Sequence, residues 1–213
     1  MNESSKHQAV NEALGFPLAD AFEKDISEFM EAGVTEKNMI VALIDMDKFL
    51  RINDDFGRDA GDQALIDTGR YLASDLPEGA KIYRIAGDEF GIVFSGDMEK
   101  EDVFLLMEKK RAEYPVKAPD GDEMTISIGI AAAFDDASRY HELFRKAESA
   151  MFRVKYMGGN KVALAKEEKM VPKTSHYTAD QLKRLTKLSK REGVGEALLL
   201  REALDMLLQK YEN

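Results

Sequence analysis

Three acidic residues carry the clearest chemistry in this sequence: Asp45 at the end of an apolar run, and the adjacent pair Asp88 and Glu89 between two others. Carboxylates at strand ends can converge on one edge of a sheet while the apolar strands behind them stay intact. Their oxygens are hard donors, and neither His nor Cys stands near them, which favours Mg²⁺ or Mn²⁺. Two such ions typically bridge the phosphates of a nucleotide and stabilise an in-line displacement at phosphorus. A single turn acid is ordinarily a solvated side chain. It is the set, in this order and spacing, that points to a site.

The elements that must position these acids follow from periodicity. A helix is expected from Pro17 to about Ala32, with Ala21, Phe22, Ile26, Phe29 and Met30 at helical spacing. Met39 to Ile44 is an apolar run of strand length that ends in Asp45, Met46 and Asp47. A helix from about Asp59 to Ser74 has Ala64, Leu65, Thr68 and Leu72 on one face. The runs Lys81–Ile85 and Phe90–Phe94 flank Ala86, Gly87, Asp88 and Glu89, and read as a β-hairpin. A helix near Lys100–Tyr114 and a strand, Met124–Ala131, come next. Leu143, Ala147, Ala150, Met151 and Val154 mark another amphipathic helix, and Lys161–Ala165 a last strand. Strands alternate with helices, but the hairpin forces antiparallel pairing, so the fold class is α+β.

The bulk composition is globular, 44% hydrophobic and 33% charged, with no low-complexity tract. The polar first ten residues show no secretory leader, and no apolar run approaches the ~18 residues of a membrane span, so a cytoplasmic protein without membrane contact is expected. The absence of cysteine excludes disulfides and thiolate metal sites. The net charge of −10 argues against nucleic-acid binding as a whole, but the charge is unevenly spread. Residues 1–165 carry 20 basic and 32 acidic residues, a balance of −12, whereas residues 166–213 carry 10 and 8, a balance of +2. That asymmetry divides the chain into residues 1–165, a charged linker over 166–172, and a small module over 173–213.

The run from Asp45 to Asp54, followed by Gly57 to Asp62, resembles the D-x-D-x-F-K-x-I-N-D…G-H-x-x-G-D stretch of the GGDEF family of diguanylate cyclases. Arg84 to Phe90 resembles that family's R-x-G-G-D-E-F signature, Ser127 to Ala131 its S-I-G-I-A strand, and Ala147 to Asn160 its last helix. The resemblance implies a palm-like antiparallel sheet of about five strands packed by helices. It also implies the joining of two GTP molecules, one on each of two facing protomers, into cyclic di-GMP with release of pyrophosphate. By the same resemblance Asp45 and Asp88 hold the metal with help from the Met46 carbonyl, Glu89 supports the site, and Asp88 assists deprotonation of the attacking 3′-hydroxyl. Asn53 and Asp62 read the guanine edge, where a carboxylate can accept from N1 and N2 and an amide can donate to acceptors. Main-chain N–H groups of Asp47, Lys48, Phe49 and Leu50 cradle phosphates, and Lys155 contacts phosphate.

The departures are as specific as the matches. Leu50 and Gly159 stand where the family has a phosphate-side lysine and arginine, and only Leu14 to Ala19 faintly echoes the family's N-terminal stretch. Two lost cations cost affinity, with each charged hydrogen bond worth ~1.5–3 kcal/mol. Arg51, Arg153 and Lys161 are the candidates to replace them. Ala86 replaces the first signature glycine, which costs roughly 1 kcal/mol if the position needs positive φ and almost nothing otherwise. Pro77 to Ala80 replaces the family's inhibitory R-x-x-D product site, so feedback through that site is not expected.

Beyond Pro172, Thr178 is a plausible N-cap for a helix with Leu182, Leu185 and Leu188 on one face. After Gly193, Val194 and Gly195, a second helix carries Leu198, Leu199, Leu200, Ala203, Leu204, Leu207 and Leu208, an apolar surface that another chain must cover. This segment resembles the dimeric ribbon-helix-helix DNA-binding domains. The resemblance implies a homodimer whose paired strands enter the major groove, with Lys173, Thr174, Ser175 and His176 supplying base contacts. Backbone N–H groups near Gly195 and Glu196 would then meet phosphate. The low positive charge and Glu196 itself favour a dimerisation hairpin without DNA contact. No segment ahead of the first domain reads as a sensory domain, so regulation is expected from the C-terminal end. Three functions therefore compete: a cyclase coupled to DNA, a nucleotide-sensing DNA-binding regulator, and a cyclase with a dimerisation-only tail.

Overall fold

The apolar run after Asn38 becomes the central strand of a five-stranded sheet in the computed structural model, which describes residues 8–33, 37–166, 173–192 and 195–212. Two compact units are present, Met1–Glu167 and Glu168–Asn213. In the first, α1 (Gln8–Leu14), α2 (Ala19–Glu31), β1 (Asn38–Met46), α3 (Phe49–Phe56), α4 (Arg58–Ala73), β2 (Ala80–Ala86), β3 (Glu89–Gly96), α5 (Lys100–Ala112), β4 (Ile126–Ala132), α6 (Tyr140–Tyr156) and β5 (Val162–Leu164) follow in order. The strand order is β2-β3-β1-β4-β5. All neighbours pair antiparallel except β4 and β5, which run parallel. The sheet expected to be antiparallel is thus mixed, because α6 intervenes between β4 and β5 and carries the chain back to the starting edge.

β1 is buried from Met39 to its end, which is why its sequence is continuously apolar instead of alternating. Ile40, Ala42, Ile44 and Met46 enter one core with Ile92, Phe94, Ile128 and Leu65, while Met39, Val41 and Leu43 enter the other with Phe22, Ile26, Leu143 and Met151. The strand S-I-G-I-A places isoleucines on the first face and small residues on the second. A Cβ at Gly129 would lie 2.0 Å from the Ala147 carbonyl oxygen and 2.5 Å from the Met151 nitrogen, so α6 rests directly on the β4 backbone. That close approach brings the end of α6 to the end of β1.

Two elements go beyond the sequence expectations. α1 is new, and α3 is a separate helix ahead of α4, its Phe49 and Ile52 buried one turn apart. The β2–β3 connection is shorter than expected: Ala86 pairs with Glu89, leaving Gly87 and Asp88 as the turn, with a register shift between Arg84 and Ala86. Gly87 takes positive φ, while Ala86 is not among the positive-φ residues, so the alanine is not strained there.

In the second unit, α7 spans Ala179–Glu192 and α8 spans Glu196–Glu212. Thr178 caps α7 as expected: its Oγ1 accepts from the Gln181 N–H at 3.2 Å, and its own N–H donates to Gln181 Oε1 at 2.9 Å. Leu182, Leu204, Met206, Leu207, Leu208 and Tyr211 are exposed. The linker beyond Lys166, the Gly193–Val194 turn and the Leu198 side chain lie outside the described residues.

Candidate active site

Antiparallel pairing of β1 and β3 sets Asp45 directly opposite Glu89, and the Met46 N–H donates to the Asp88 carbonyl at 3.4 Å. The three acids singled out from the sequence therefore meet at one end of the sheet. Asp45 is only 8% exposed. Lys155, on α6, places Nζ 2.6 Å from Asp45 Oδ1. Burial, followed by the charge of Asp88, raises the Asp45 carboxyl to about 6 despite the opposing pull of Lys155. Burial likewise raises Glu89 to about 8, with Glu148, Asp45 and Asp88 adding repulsion. Glu89 Oε1 is buried without a hydrogen-bond partner among the described residues.

Such crowded, desolvated carboxylates fit a hard divalent cation, which would relieve both the repulsion and the unpartnered oxygen. Among the described residues no three His, Cys, Asp or Glu side chains are gathered in a metal-holding group. Asp45 and Asp88 are the side chains that would hold the cation.

Asp47 is differently employed from the phosphate-cradle expectation. Its N–H donates to the Thr125 carbonyl at 2.9 Å and is not free for phosphate. Its carboxylate accepts from Thr125 Oγ1 at 2.7 Å, Ser127 Oγ at 2.6 Å and the Asn160 N–H at 2.8 Å. Of the N–H groups expected to receive phosphate, those of Lys48, Phe49 and Leu50 are left as candidates. Lys48 adopts a left-handed conformation, and Phe49 and Leu50 open α3, where the first N–H groups lack intrahelical partners.

The lost cations can now be located. Leu50 is 74% exposed. Gly159 has φ +73, and a Cβ there would lie 2.7 Å from Asp47 Oδ1, so an arginine at 159 conflicts with the backbone and with the Asp47 anchor together. The three candidate replacements have other partners. Arg51 bridges Asp55, Asp120 and Asp122, Arg153 donates to the Leu164 carbonyl, and Lys161 Nζ lies 3.4 Å from the Met157 carbonyl oxygen.

Asn53, on α3, lies against the start of α4, where a Cβ at residue 61 would fall 2.0 Å from Asn53 Oδ1. Gly61 therefore admits the Asn53 amide, one residue before Asp62. Sequence reasoning assigned no role to Arg84, which is buried in β2 with its guanidinium on the Gly87 carbonyl, nor to Glu148 of α6, whose charge acts on Glu89. The available signal for the first was an arginine set between Tyr83 and Ile85 in a strand.

In the C-terminal unit, Lys173, Thr174, Ser175 and His176 are exposed and belong to no strand within the single chain. Gly195 is exposed. Glu196 accepts from Thr186 Oγ1 at 2.6 Å, tying the start of α8 to α7. Tyr177, Leu182, Leu185, Leu188 and Leu200 line a groove of about 700 Å³ edged by Arg184, Lys187 and Arg191.

The α+β domain thus gathers carboxylates and a lysine at one end of its sheet. Residues 9–161 match the family described as diguanylate cyclase, GGDEF domain, and the chain belongs to that family. Residues 170–212 match the ribbon-helix-helix domain family, so the two are fused in one chain. The chain is similar to the diguanylate cyclase DosC of Escherichia coli, at 30% identity over 169 residues, covering 77% of this chain and 37% of DosC. It is also similar to the probable diguanylate cyclase DgcC of Escherichia coli, at 28% over 141 residues, 65% of this chain and 38% of DgcC. The chain thus spans under two fifths of these curated relatives. Among solved structures, the GGDEF domain of YfiN (TpbB) from Pseudomonas aeruginosa superposes with a TM-score of 0.67 at 26% identity, covering 73% of this chain and 99% of that one. The active GGEEF domain of a Vibrio cholerae diguanylate cyclase, at 24% identity, shares the fold with a TM-score of 0.64 over 72% of this chain and 99% of that one. Among the described residues no helix is long and apolar enough to cross a membrane.

Proposed function

We propose that this chain is a cytoplasmic diguanylate cyclase that joins two GTP molecules into cyclic di-GMP and two pyrophosphates, with its activity linked to DNA through a C-terminal homodimer. The observation that carries the cyclase reading is the convergence of Asp45, Asp88 and Glu89 at one sheet end beside Lys155. Each GTP presents its 3′-hydroxyl to the α-phosphate of the other; a P–O bond forms as the bond to pyrophosphate breaks. Asp45 and Asp88, with the Met46 carbonyl, would hold Mg²⁺ or Mn²⁺, which when bound would stabilise charge on the phosphates. Asp88 accepts the 3′-hydroxyl proton, and Glu89 supports it from the paired strand. Lys155 is within reach of Asp45 and turns its charge to phosphate when nucleotide arrives. Asn53 and Asp62 hold the guanine, and the N–H groups of Lys48, Phe49 and Leu50 receive phosphate.

Two active sites must face each other, and a dimer module raises their effective concentration. The exposed leucines of α8 support that homodimer, and the exposed Lys173–His176 segment supports a DNA-reading ribbon formed with a second copy.

A second reading is favoured by one specific observation: Leu50 and Gly159 supply no charge, and Arg51, Arg153 and Lys161 are held by other partners. On that reading the domain binds GTP or cyclic di-GMP without turnover and reports it to DNA. Incubation with GTP and Mg²⁺ or Mn²⁺ separates the two. Cyclic di-GMP that disappears in Asp88→Asn, with the melting temperature retained, supports the cyclase; nucleotide binding with no product supports the sensor.

A further inference from the structure

Arg111, in the last turn of α5, pairs with Glu108 at two points: Nε donates to Oε2 at 2.9 Å and Nη2 to Oε1 at 2.5 Å. Such two-point pairing fixes the plane of a guanidinium, so the direction of the third nitrogen is set. That nitrogen, Nη1, donates to Asn160 Oδ1 at 2.7 Å, in the loop between α6 and β5. Asn160 holds a φ of 52°, a left-handed conformation that side-chain-bearing residues adopt at a cost. Its main-chain N–H donates to Asp47 Oδ2 at 2.8 Å. Asp47 is followed by Lys48, whose own left-handed conformation turns the chain into α3. An unbroken series of contacts therefore runs from α5 to the N–H groups of Lys48, Phe49 and Leu50.

We propose that Arg111 is a positioning residue for the phosphate end of the nucleotide site, acting through Asn160 and Asp47 on the N–H groups that open α3. The inference rests on the nucleotide reading above. Leu50 and Gly159 supply no charge, so main-chain dipoles carry more of the phosphate binding here. A dipole attracts an anion only at the right angle, and donors already held at that angle need no reorganisation when the ligand arrives. Arg111 supplies the hold. Without its guanidinium, Asn160 loses the side-chain anchor that keeps it left-handed, and the loop is free to leave Asp47. The peptide after Asp47 then loses its fixed direction. Glu108 matches the charge of Arg111, so the effect is one of geometry and the guanidinium itself touches no nucleotide.

The test compares binding of GTP and of guanosine, which lacks the phosphates, to the full chain with Mg²⁺. Arg111→Met is expected to lower GTP affinity about fivefold while leaving guanosine unchanged, so the preference ratio falls by that factor. Asn160→Gly keeps the main-chain N–H and accepts the left-handed conformation, but removes the acceptor for Arg111. It is expected to lower the ratio equally, with the double variant no worse than either single one. Because glycine suits that backbone, Asn160→Gly carries the test if the methionine variant fails to fold, and Arg111→Lys, which keeps one donor, restores part of the ratio. Equal weakening of GTP and guanosine marks a structural role only and overturns the assignment. So does a ratio that survives in both single variants, or one that falls in Arg111→Met but not in Asn160→Gly. Native protein that binds GTP no tighter than guanosine overturns the nucleotide reading along with it.

Discussion

At the residue scale, Asp47 shows how position misleads when contacts are unknown. It lies two residues beyond Asp45 in a motif associated with nucleotide binding, yet its N–H and carboxylate are taken by Thr125, Ser127 and Asn160. It braces the loop that follows β1 against β4 and against the loop after α6. Asp47→Ala strips two hydroxyls and one N–H of a charged acceptor. A loss of about 2 kcal/mol is expected, read as a melting temperature lowered by several degrees together with weaker GTP binding. Unchanged melting would refute the bracing role. Gly159→Arg tests the same contact from the other side. Restoring that arginine is expected to lower stability without recovering phosphate affinity, because its Cβ meets the Asp47 carboxylate; tighter GTP binding at unchanged melting temperature would show that the loop yields.

At the scale of elements, the acids at β1 and at the hairpin were legible because strand ends are marked by where apolar runs stop. The α6 face was legible because Leu143, Ala147, Ala150, Met151 and Val154 repeat at helical spacing, and all five are buried. What was hidden is contact across elements: no periodicity shows that Lys155 reaches Asp45, that Arg51 is spent on Asp55, Asp120 and Asp122, or that β5 pairs parallel. α3 was hidden for another reason, since eight residues offer too few turns to separate a short helix from the start of the next one. Gly129 makes an element-level prediction. A methyl there collides with the α6 backbone, so Gly129→Ala is expected to cost about 1–3 kcal/mol and to lift Lys155 away from Asp45. Lower melting temperature with loss of GTP turnover checks it; wild-type values for both would show that α6 shifts freely. The α2–β2 contact makes a second. Asp25 accepts from Lys81 Nζ at 2.6 Å and from the Tyr83 hydroxyl at 2.5 Å, and the Lys81 hydrogen bond first, then that of Tyr83, holds its carboxyl below the usual range. A depressed folded pKa gives stability that is present above the ordinary carboxylate value and lost as pH falls through the folded one. Asp25→Asn should therefore flatten the decline in melting temperature between roughly pH 5 and pH 2, and an unchanged acid limb would exclude this contact as its source.

At the scale of the whole molecule, two modules with opposite charge balance share one chain, and the chemistry proposed for the first needs two copies while the apolar face of the second leaves room for one. If DNA binding by the C-terminal homodimer changes how two GTP sites meet, then linkage fixes the reverse effect: nucleotide occupancy must change DNA affinity by the same factor. The expected coupling is 5-fold or more, on the order of 1–3 kcal/mol, measured by anisotropy of a labelled mixed-sequence duplex with and without saturating GTP in the inactive Asp88→Asn chain. Titrating the same GTP with and without duplex gives the reciprocal number, and the two factors must agree. DNA affinity that ignores both GTP and cyclic di-GMP would leave a cyclase whose tail only pairs two copies. Absent DNA affinity with dimerisation retained would say the same more directly, and would move the meaning of Lys173 to His176 from base contacts to an exposed segment ahead of α7. Coupling with no turnover in the native chain would instead make the nucleotide site an input and DNA the output. The three competing functions thus differ in whether coupling and turnover are both present or one of them is absent, and one pair of titrations, set beside the GTP assay, tells them apart.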